Sequence, residues 1–152
     1  LDILNIEIKS PKDPKEFNIV EATIDLAKKH GLFDKLLISS FNSELLVRAK
    51  DYDAECKTGF LYAPTKKWSI PAILDPVGFA QSIKADALHP YELFVTREYV
   101  ERAHANGIMV NPWTIDKVKT IDKFLDYGVD GIITNHPDLV RHLMEVRKSR
   151  LG

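Results

Sequence analysis

Three polar side chains near the start of the sequence have types and spacing suited to phosphate chemistry. Asn5, Glu7 and Lys9 alternate with apolar residues, so an extended segment would put all three on one face. The apolar residues between them are Leu4, Ile6 and Ile8. Glu7 would supply a hard oxygen ligand for a divalent cation, and Lys9 a point charge for a phosphate. The alternative is that Glu7 and Lys9 only pair with each other.

The elements that would position these residues alternate along the chain in the order typical of βα units. Six strands are predicted, at Leu4–Lys9, Leu36–Phe41, Thr58–Tyr62, Asp86–Pro90, Ile108–Trp113 and Gly131–Asn135. Helices are predicted over Phe17–Lys29, from a cap at Asn42 or Ser43, over Pro76–Lys84, from the cap Thr96 to Gly107, from the cap Asp116 to Gly128, and from Pro137.

The polar face of the first strand favours a barrel over an open sheet. Helices cover both faces of a doubly wound sheet, where polar side chains would be costly to bury. In a closed TIM-type barrel, inward residues at the carboxyl ends of the strands build the active site instead. The residues expected to converge on that rim are Glu7, Lys9, Ser40, Phe41, Leu61, Tyr62, His89, Asn111, Trp113, Thr134 and Asn135.

Net charge, cysteine content and the length of apolar runs limit the binding partners and the cellular compartment that the sequence predicts. The 152 residues carry a formal net charge of -1, which provides no long-range field for nucleic acid. Cys56 is the one cysteine, so no internal disulfide is expected and a reducing, cytoplasmic compartment is favoured. No run approaches the roughly 20 apolar residues of a membrane-spanning helix. The chain opens with Leu1 in a strand-like run, and we expect its natural start to lie upstream.

Five short runs resemble those of the glycerophosphodiester phosphodiesterase family, in matching order and spacing. They are Asn5-Ile6-Glu7-Ile8-Lys9, Ser40-Phe41, Thr58-Gly59-Phe60-Leu61, Trp113-Thr114, and Gly131-Ile132-Ile133-Thr134-Asn135 with Pro137-Asp138. The resemblance implies an α/β fold, a TIM (β/α)8-type barrel of the phospholipase-C-like phosphodiesterase kind, present here as about six βα units. Residues 1–152 would be the C-terminal part of a single barrel domain.

The resemblance also implies roles for individual residues. Glu7 would be a ligand of a divalent metal, Ca or Mg, and Lys9 a catalytic residue beside the substrate phosphate. Phe41, Leu61 and Trp113 would wall the pocket for the substrate, a small-molecule glycerophosphodiester. For Phe41 and Trp113 the alternative is plain packing, which is the commoner use of a large aromatic at a strand end.

The family's H-R-G, E-x-D and H-D motifs do not occur in this sequence. In the family they supply the acid and base histidines and two of the three metal-binding carboxylates. His89 and His136 are the histidines predicted nearest to the rim, and a structural role is expected for both. Two residues depart from the family pattern, because Asp116 stands where many relatives have Asn and Asn135 where they have Asp.

The resemblance implies a metal-assisted hydrolase that converts a glycerophosphodiester to glycerol 3-phosphate and an alcohol, in lipid or glycerol metabolism. Its acid and base histidines are expected upstream, so we expect this chain alone to be inactive. A second hypothesis is a catalytically incomplete phosphodiester-binding or structural half-barrel module, whose open edges a homo-oligomer or a partner segment would cover. A third is another TIM-barrel phosphodiesterase, such as a lysophospholipase D relative with a lipid-accepting pocket.

Overall fold

Strands and helices alternate in the computed structural model, which describes residues 2–10, 18–65 and 69–151. The strands are β1 (Leu4–Glu7), β2 (Leu36–Ser40), β3 (Lys57–Tyr62), β4 (Ala87–Pro90) and β5 (Met109–Val110). The helices are α1 (Ile19–Lys29), α2 (Ser43–Tyr52), α3 (Ile70–Leu74), α4 (Pro76–Ser82), α5 (Arg97–His104), α6 (Val118–Tyr127) and α7 (Pro137–Leu151). Single 3-10 turns cover Phe33–Lys35 and Glu92–Phe94.

The five strands form one parallel sheet in the order β1-β2-β3-β4-β5, which is also their order along the chain. Each connection therefore carries the chain to the next neighbouring strand through a helical segment. This is the winding of a βα barrel, in contrast to a doubly wound sheet whose strand order reverses part-way.

One face of the sheet carries the hydrophobic core. Ile38, Phe60 and Leu88, from three adjacent strands, are no more than 1% exposed and belong to the same cluster as Val20 and Ile24 of α1. The two helix residues are four positions apart and so lie on one side of α1. Burial of each large apolar side chain contributes about 1.5–3 kcal/mol. The cluster therefore holds the helices against this face.

Three predicted helix ends are confirmed, at Asn42, Thr96 and Gly128. The side chain of Asn42 accepts a hydrogen bond from the Glu44 amide at 3.0 Å, and that of Thr96 accepts from Tyr99 at 3.1 Å. Gly128 ends α6 at φ 76°, a left-handed conformation that glycine adopts without steric cost. The predicted start at Phe17 lies outside the described residues.

Two helix predictions are wrong in detail. The sequence did not predict α3, a separate short helix before Pro76. Asp116 does not cap α6, whose N-cap residue is Lys117. Its carboxylate accepts hydrogen bonds from Thr134 and Asn135 instead, so the side chain that would have satisfied the helix end is used elsewhere.

The last predicted strand, Gly131–Asn135, is not a strand. Its segment runs beside β5, with Asp130 N donating to Val110 O and Ile133 N donating to Pro112 O, each at 3.0 Å. β5 does not supply the backbone N–H donors that a regular strand ladder with this segment would need. Val110 N donates instead to the Asp130 carboxylate at 2.7 Å, and Pro112 has no N–H. Within the described residues the sheet therefore has five strands, followed by an irregular sixth segment.

Candidate active site

The face of the sheet opposite the core carries the predicted site residues. The parallel register sets Glu7 beside Ser39, Ser39 beside Gly59, and Leu61 beside His89. Side chains in register on neighbouring strands point to the same side of a sheet. A band of polar, small and apolar residues therefore crosses this face near the carboxyl ends of the strands.

A cavity of about 170 Å³ lies on this face. It is lined by Asn5, Glu7, Ser39, Phe41, Leu61, Trp113, Thr114 and Ile133. Asn5 belongs to β1 at one edge of the sheet, whereas Ile133 belongs to the segment beyond β5 at the other. Residues from both edges can line one cavity only if the sheet curls around it, as the strands of a barrel do.

Four of the five residues predicted for the site meet in this cavity. Glu7, Phe41, Leu61 and Trp113 are all among its lining residues, whereas Lys9 is not. Lys9 is exposed, two residues beyond the end of β1. Neither Glu7 nor Lys9 joins any of the ion pairs between described residues, so the alternative in which the two pair only with each other has no support.

The aromatic wall of the cavity is held by specific contacts. Phe41 meets Trp113 edge to face at a centroid separation of 5.5 Å, and Tyr91 meets the same indole at 5.6 Å. The indole Nε1 of Trp113 donates a 2.7 Å hydrogen bond to the backbone oxygen of His89. These contacts fix the orientation of Trp113, and they fit both a substrate wall and plain packing.

Two residues expected on the rim point the other way. Ser40 donates its hydroxyl to the backbone oxygen of Ile8 at 2.7 Å, and the hydroxyl of Tyr62 lies 2.8 Å from that of Tyr99 on α5. Adjacent residues of a strand face opposite sides, so Ser40 and Phe41 could not both line the cavity.

Sequence reasoning missed three lining residues, Ser39, Thr114 and Ile133. Counting back two positions from Phe41 would have found Ser39. Its hydroxyl is buried and has no hydrogen-bond partner among the described residues. Ile133 belongs to one of the five family-like runs, but its apolar side chain in a predicted strand did not indicate that it lines the cavity.

Comparison with known proteins identifies the family. Residues 3–139 match the sequence profile of the Glycerophosphoryl diester phosphodiesterase family. The chain belongs to this family. The resemblance drawn from the five short runs is thereby confirmed.

One relative of the chain is the glycerophosphodiester phosphodiesterase of Caldanaerobacter subterraneus subsp. tengcongensis, which is 32% identical over 142 residues. The match covers 93% of this chain and 55% of that protein. An Oleispira antarctica phosphodiesterase solved in complex with the product sn-glycerol-3-phosphate is 25% identical at a TM-score of 0.75, covering 94% of this chain and 55% of that one. The chain spans about half the length of the curated relatives it matches.

The predicted fold class is confirmed by solved structures of the family. A glycerophosphodiester phosphodiesterase from Parabacteroides distasonis superposes at a TM-score of 0.79 with 18% identity, covering 96% of this chain and 58% of that one. The phosphodiesterase-family chain is therefore a partial TIM-type barrel with a parallel sheet. Among the described residues, no helix combines the length and apolar character needed to cross a bilayer.

The described residues do not by themselves provide a complete metal site. Glu7 is a carboxylate in the cavity and Asn5 an amide beside it, but no group of three His, Cys, Asp or Glu side chains comes together in the described ranges. Calcium takes six to eight oxygen ligands, and magnesium is usually held by one or two carboxylates with water and substrate. Glu7 fits as one ligand and needs others.

His89 is buried on the cavity face of the sheet, beside Leu61, and is not a rim residue. It is 1% exposed, with Nε2 3.1 Å from the amide nitrogen of Asn111, and its Nδ1 has no partner among the described residues. Burial lowers the pKa of His89 to about 4, so the imidazole is neutral at pH 7. The structural role expected for His89 agrees with this burial, whereas His136 is exposed.

Stability should fall as the pH is lowered from about 6.5 to about 4, because the unfolded chain then binds a proton at residue 89 that the folded chain excludes. The expected contribution is roughly 3 kcal/mol at the acid end of this window. Urea unfolding at pH 7 and pH 4.5 would measure it in the wild type and in His89→Gln. In His89→Gln the free energy of unfolding should change much less between the two pH values than in the wild type. An equal change in both proteins would contradict the conclusion that His89 is buried in its neutral form.

Proposed function

We propose that this chain carries part of the active site of a hydrolase that cleaves glycerophosphodiesters to glycerol 3-phosphate and an alcohol. The observation that carries the proposal is the convergence of Glu7, Phe41, Leu61 and Trp113 on one cavity at the carboxyl ends of the strands. Active sites of TIM barrels lie at this end. Membership of the family and the product complex of the Oleispira relative support the same reaction class.

The roles proposed for the individual residues follow from their chemistry. Glu7 supplies one oxygen ligand for a divalent metal, Ca or Mg, which would polarise the phosphoryl oxygens when bound. Lys9, exposed two residues beyond the end of β1, approaches the phosphate and offsets the charge that develops on its oxygens. Phe41, Leu61 and Trp113 contact the carbon skeleton of the glycerol or the leaving alcohol.

The protons are moved by other groups. His89 is buried beneath the cavity and neutral, so we propose that the acid and base histidines come from segments outside this chain. The chain alone would then bind but not turn over. The same observation, together with the incomplete metal site, favours the second candidate, a phosphodiester-binding or structural half-barrel module.

The deciding experiment compares this chain with a version extended to the length of its relatives. The extended protein should release sn-glycerol 3-phosphate from glycerophosphocholine in the presence of Ca²⁺ or Mg²⁺, and chelation should stop the release. The chain alone should release none. Calorimetric titration of both proteins with sn-glycerol 3-phosphate separates the candidates, since binding without turnover in the extended protein would support the module and contradict the hydrolase.

A further inference from the structure

Two backbone segments form the wall of the cavity on the side of β5. One carries Trp113 and Thr114, and the other carries Ile133, and all three line the cavity. The segments are joined by backbone hydrogen bonds, in which Ile133 N donates to Pro112 O and Ile115 N donates to Ile133 O, each at 3.0 Å. Beyond Ile115 no further backbone hydrogen bond joins the described residues of the two segments, and side-chain hydrogen bonds connect them instead.

The carboxylate of Asp116 continues the link between the segments. Its Oδ1 accepts from the hydroxyl of Thr134 at 2.8 Å and from the backbone N–H of Asn135 at 2.9 Å. Its Oδ2 accepts from the side-chain amide of Asn135 at 2.9 Å. The hydroxyl of Thr134 in turn accepts from His136 N at 3.0 Å. The hydrogen bonds from Asn135 and Thr134 also lower the pKa of Asp116, which keeps the acceptor ionised.

We propose that Asp116 is a positioning residue for the cavity wall. It acts through Trp113, Thr114 and Ile133 by fixing the separation of the two segments that carry them. Asp116 and Asn135, which both depart from the family pattern, then form one pair. Asp116 is the acceptor on one segment, and Asn135 is the donor on the other. Asp116 would fix the wall in this way whether or not a phosphodiester is hydrolysed.

The geometry predicts that acceptor and donor can be exchanged between the two positions. In the double variant D116N/N135D, the oxygen of the new amide would keep both bonds of Oδ1, and its nitrogen would stand in place of Oδ2 and donate to the new carboxylate. In N135D alone two carboxylates would face each other, and like charges at hydrogen-bond distance repel. The second substitution should therefore rescue the first.

Amide hydrogen exchange and tryptophan quenching at pH 7 test this directly. N135D should speed exchange of the amides of residues 115, 133 and 135 by about tenfold, the size expected for losing a hydrogen bond to a charged acceptor. Acrylamide should quench Trp113 more strongly, measured in a Trp68→Phe background that leaves Trp113 as the one tryptophan. D116N/N135D should return both values to those of the wild type.

Two further variants make the test decisive. D116A removes the acceptor without adding charge, so it should also loosen the wall if N135D does not fold. D53N is the matched control, because Asp53 is likewise a carboxylate paired through hydrogen bonds, but with Lys28 and Glu55. It should leave Trp113 unchanged. A double variant no better than N135D, or faster exchange spread equally over the whole chain, would overturn the proposal.

Discussion

Replacing Glu7 by glutamine is expected to lower glycerophosphodiester turnover by at least about a hundredfold in a protein extended to the length of the family. The reason is that a weakened metal site would no longer polarise the phosphoryl oxygens, and loss of one such electrostatic stabilisation costs about this much in other enzymes. Glutamine keeps the shape of the side chain in the cavity but removes its charge, so the lining contacts should persist. The measurement is release of sn-glycerol 3-phosphate at several concentrations of Ca²⁺ and Mg²⁺. Weaker apparent metal affinity should accompany the lower rate.

A matched control distinguishes the role of Glu7 from a general effect of lost negative charge. Glu55 is exposed in the connection between α2 and β3, which enters the sheet at the end opposite the cavity. Glu55→Gln changes net charge equally and should leave turnover within about twofold of the wild type, as expected for a surface change away from the site. Retained activity in Glu7→Gln would refute the proposed metal ligand and leave the carboxylate as a surface group.

The location of the cavity could be predicted from Asn5 and Glu7 because the alternation of side chains along a strand is a local property. Polar residues on one face of a strand required a face that helices do not cover, and the cavity lies on that face. The predictions for Ser40 and Tyr62 are wrong because each residue is the immediate neighbour of a lining residue, Phe41 or Leu61, and faces the other side. The same alternation, applied strictly, would have excluded both.

Other features could not be read from single residues because they depend on contacts distant in sequence. The diversion of Val110 N to Asp130 turns a predicted strand into an irregular segment, and no propensity encodes it. Asp116 follows the pattern of a helix cap, yet its carboxylate bonds across a gap of 19 residues to Asn135. In both cases a long-range hydrogen bond overrides a local preference, as tertiary context often does.

The interior beneath the cavity depends on the absence of a side chain at Gly59. A Cβ at this position would lie 2.5 Å from Nε2 and 2.9 Å from Cε1 of the His89 ring. The ring has little freedom to withdraw, since it is 1% exposed and its Nε2 lies 3.1 Å from the amide nitrogen of Asn111. The packing of β3 against β4 therefore requires glycine at position 59, because the His89 ring lies too close to the backbone for a Cβ.

Gly59→Ala should consequently destabilise the chain by roughly 3 kcal/mol, the upper part of the usual range for overpacking a core. Urea unfolding at pH 7 would measure this, and His89→Ala provides the matched background because it removes the ring that the new methyl group meets. His89→Ala alone should also be destabilising, through the cavity it leaves. If ring contact is the cause, adding Gly59→Ala to that background should cost far less than it does in the wild type. Additive effects would show that the methyl group is excluded by the backbone of β3 itself and not by His89.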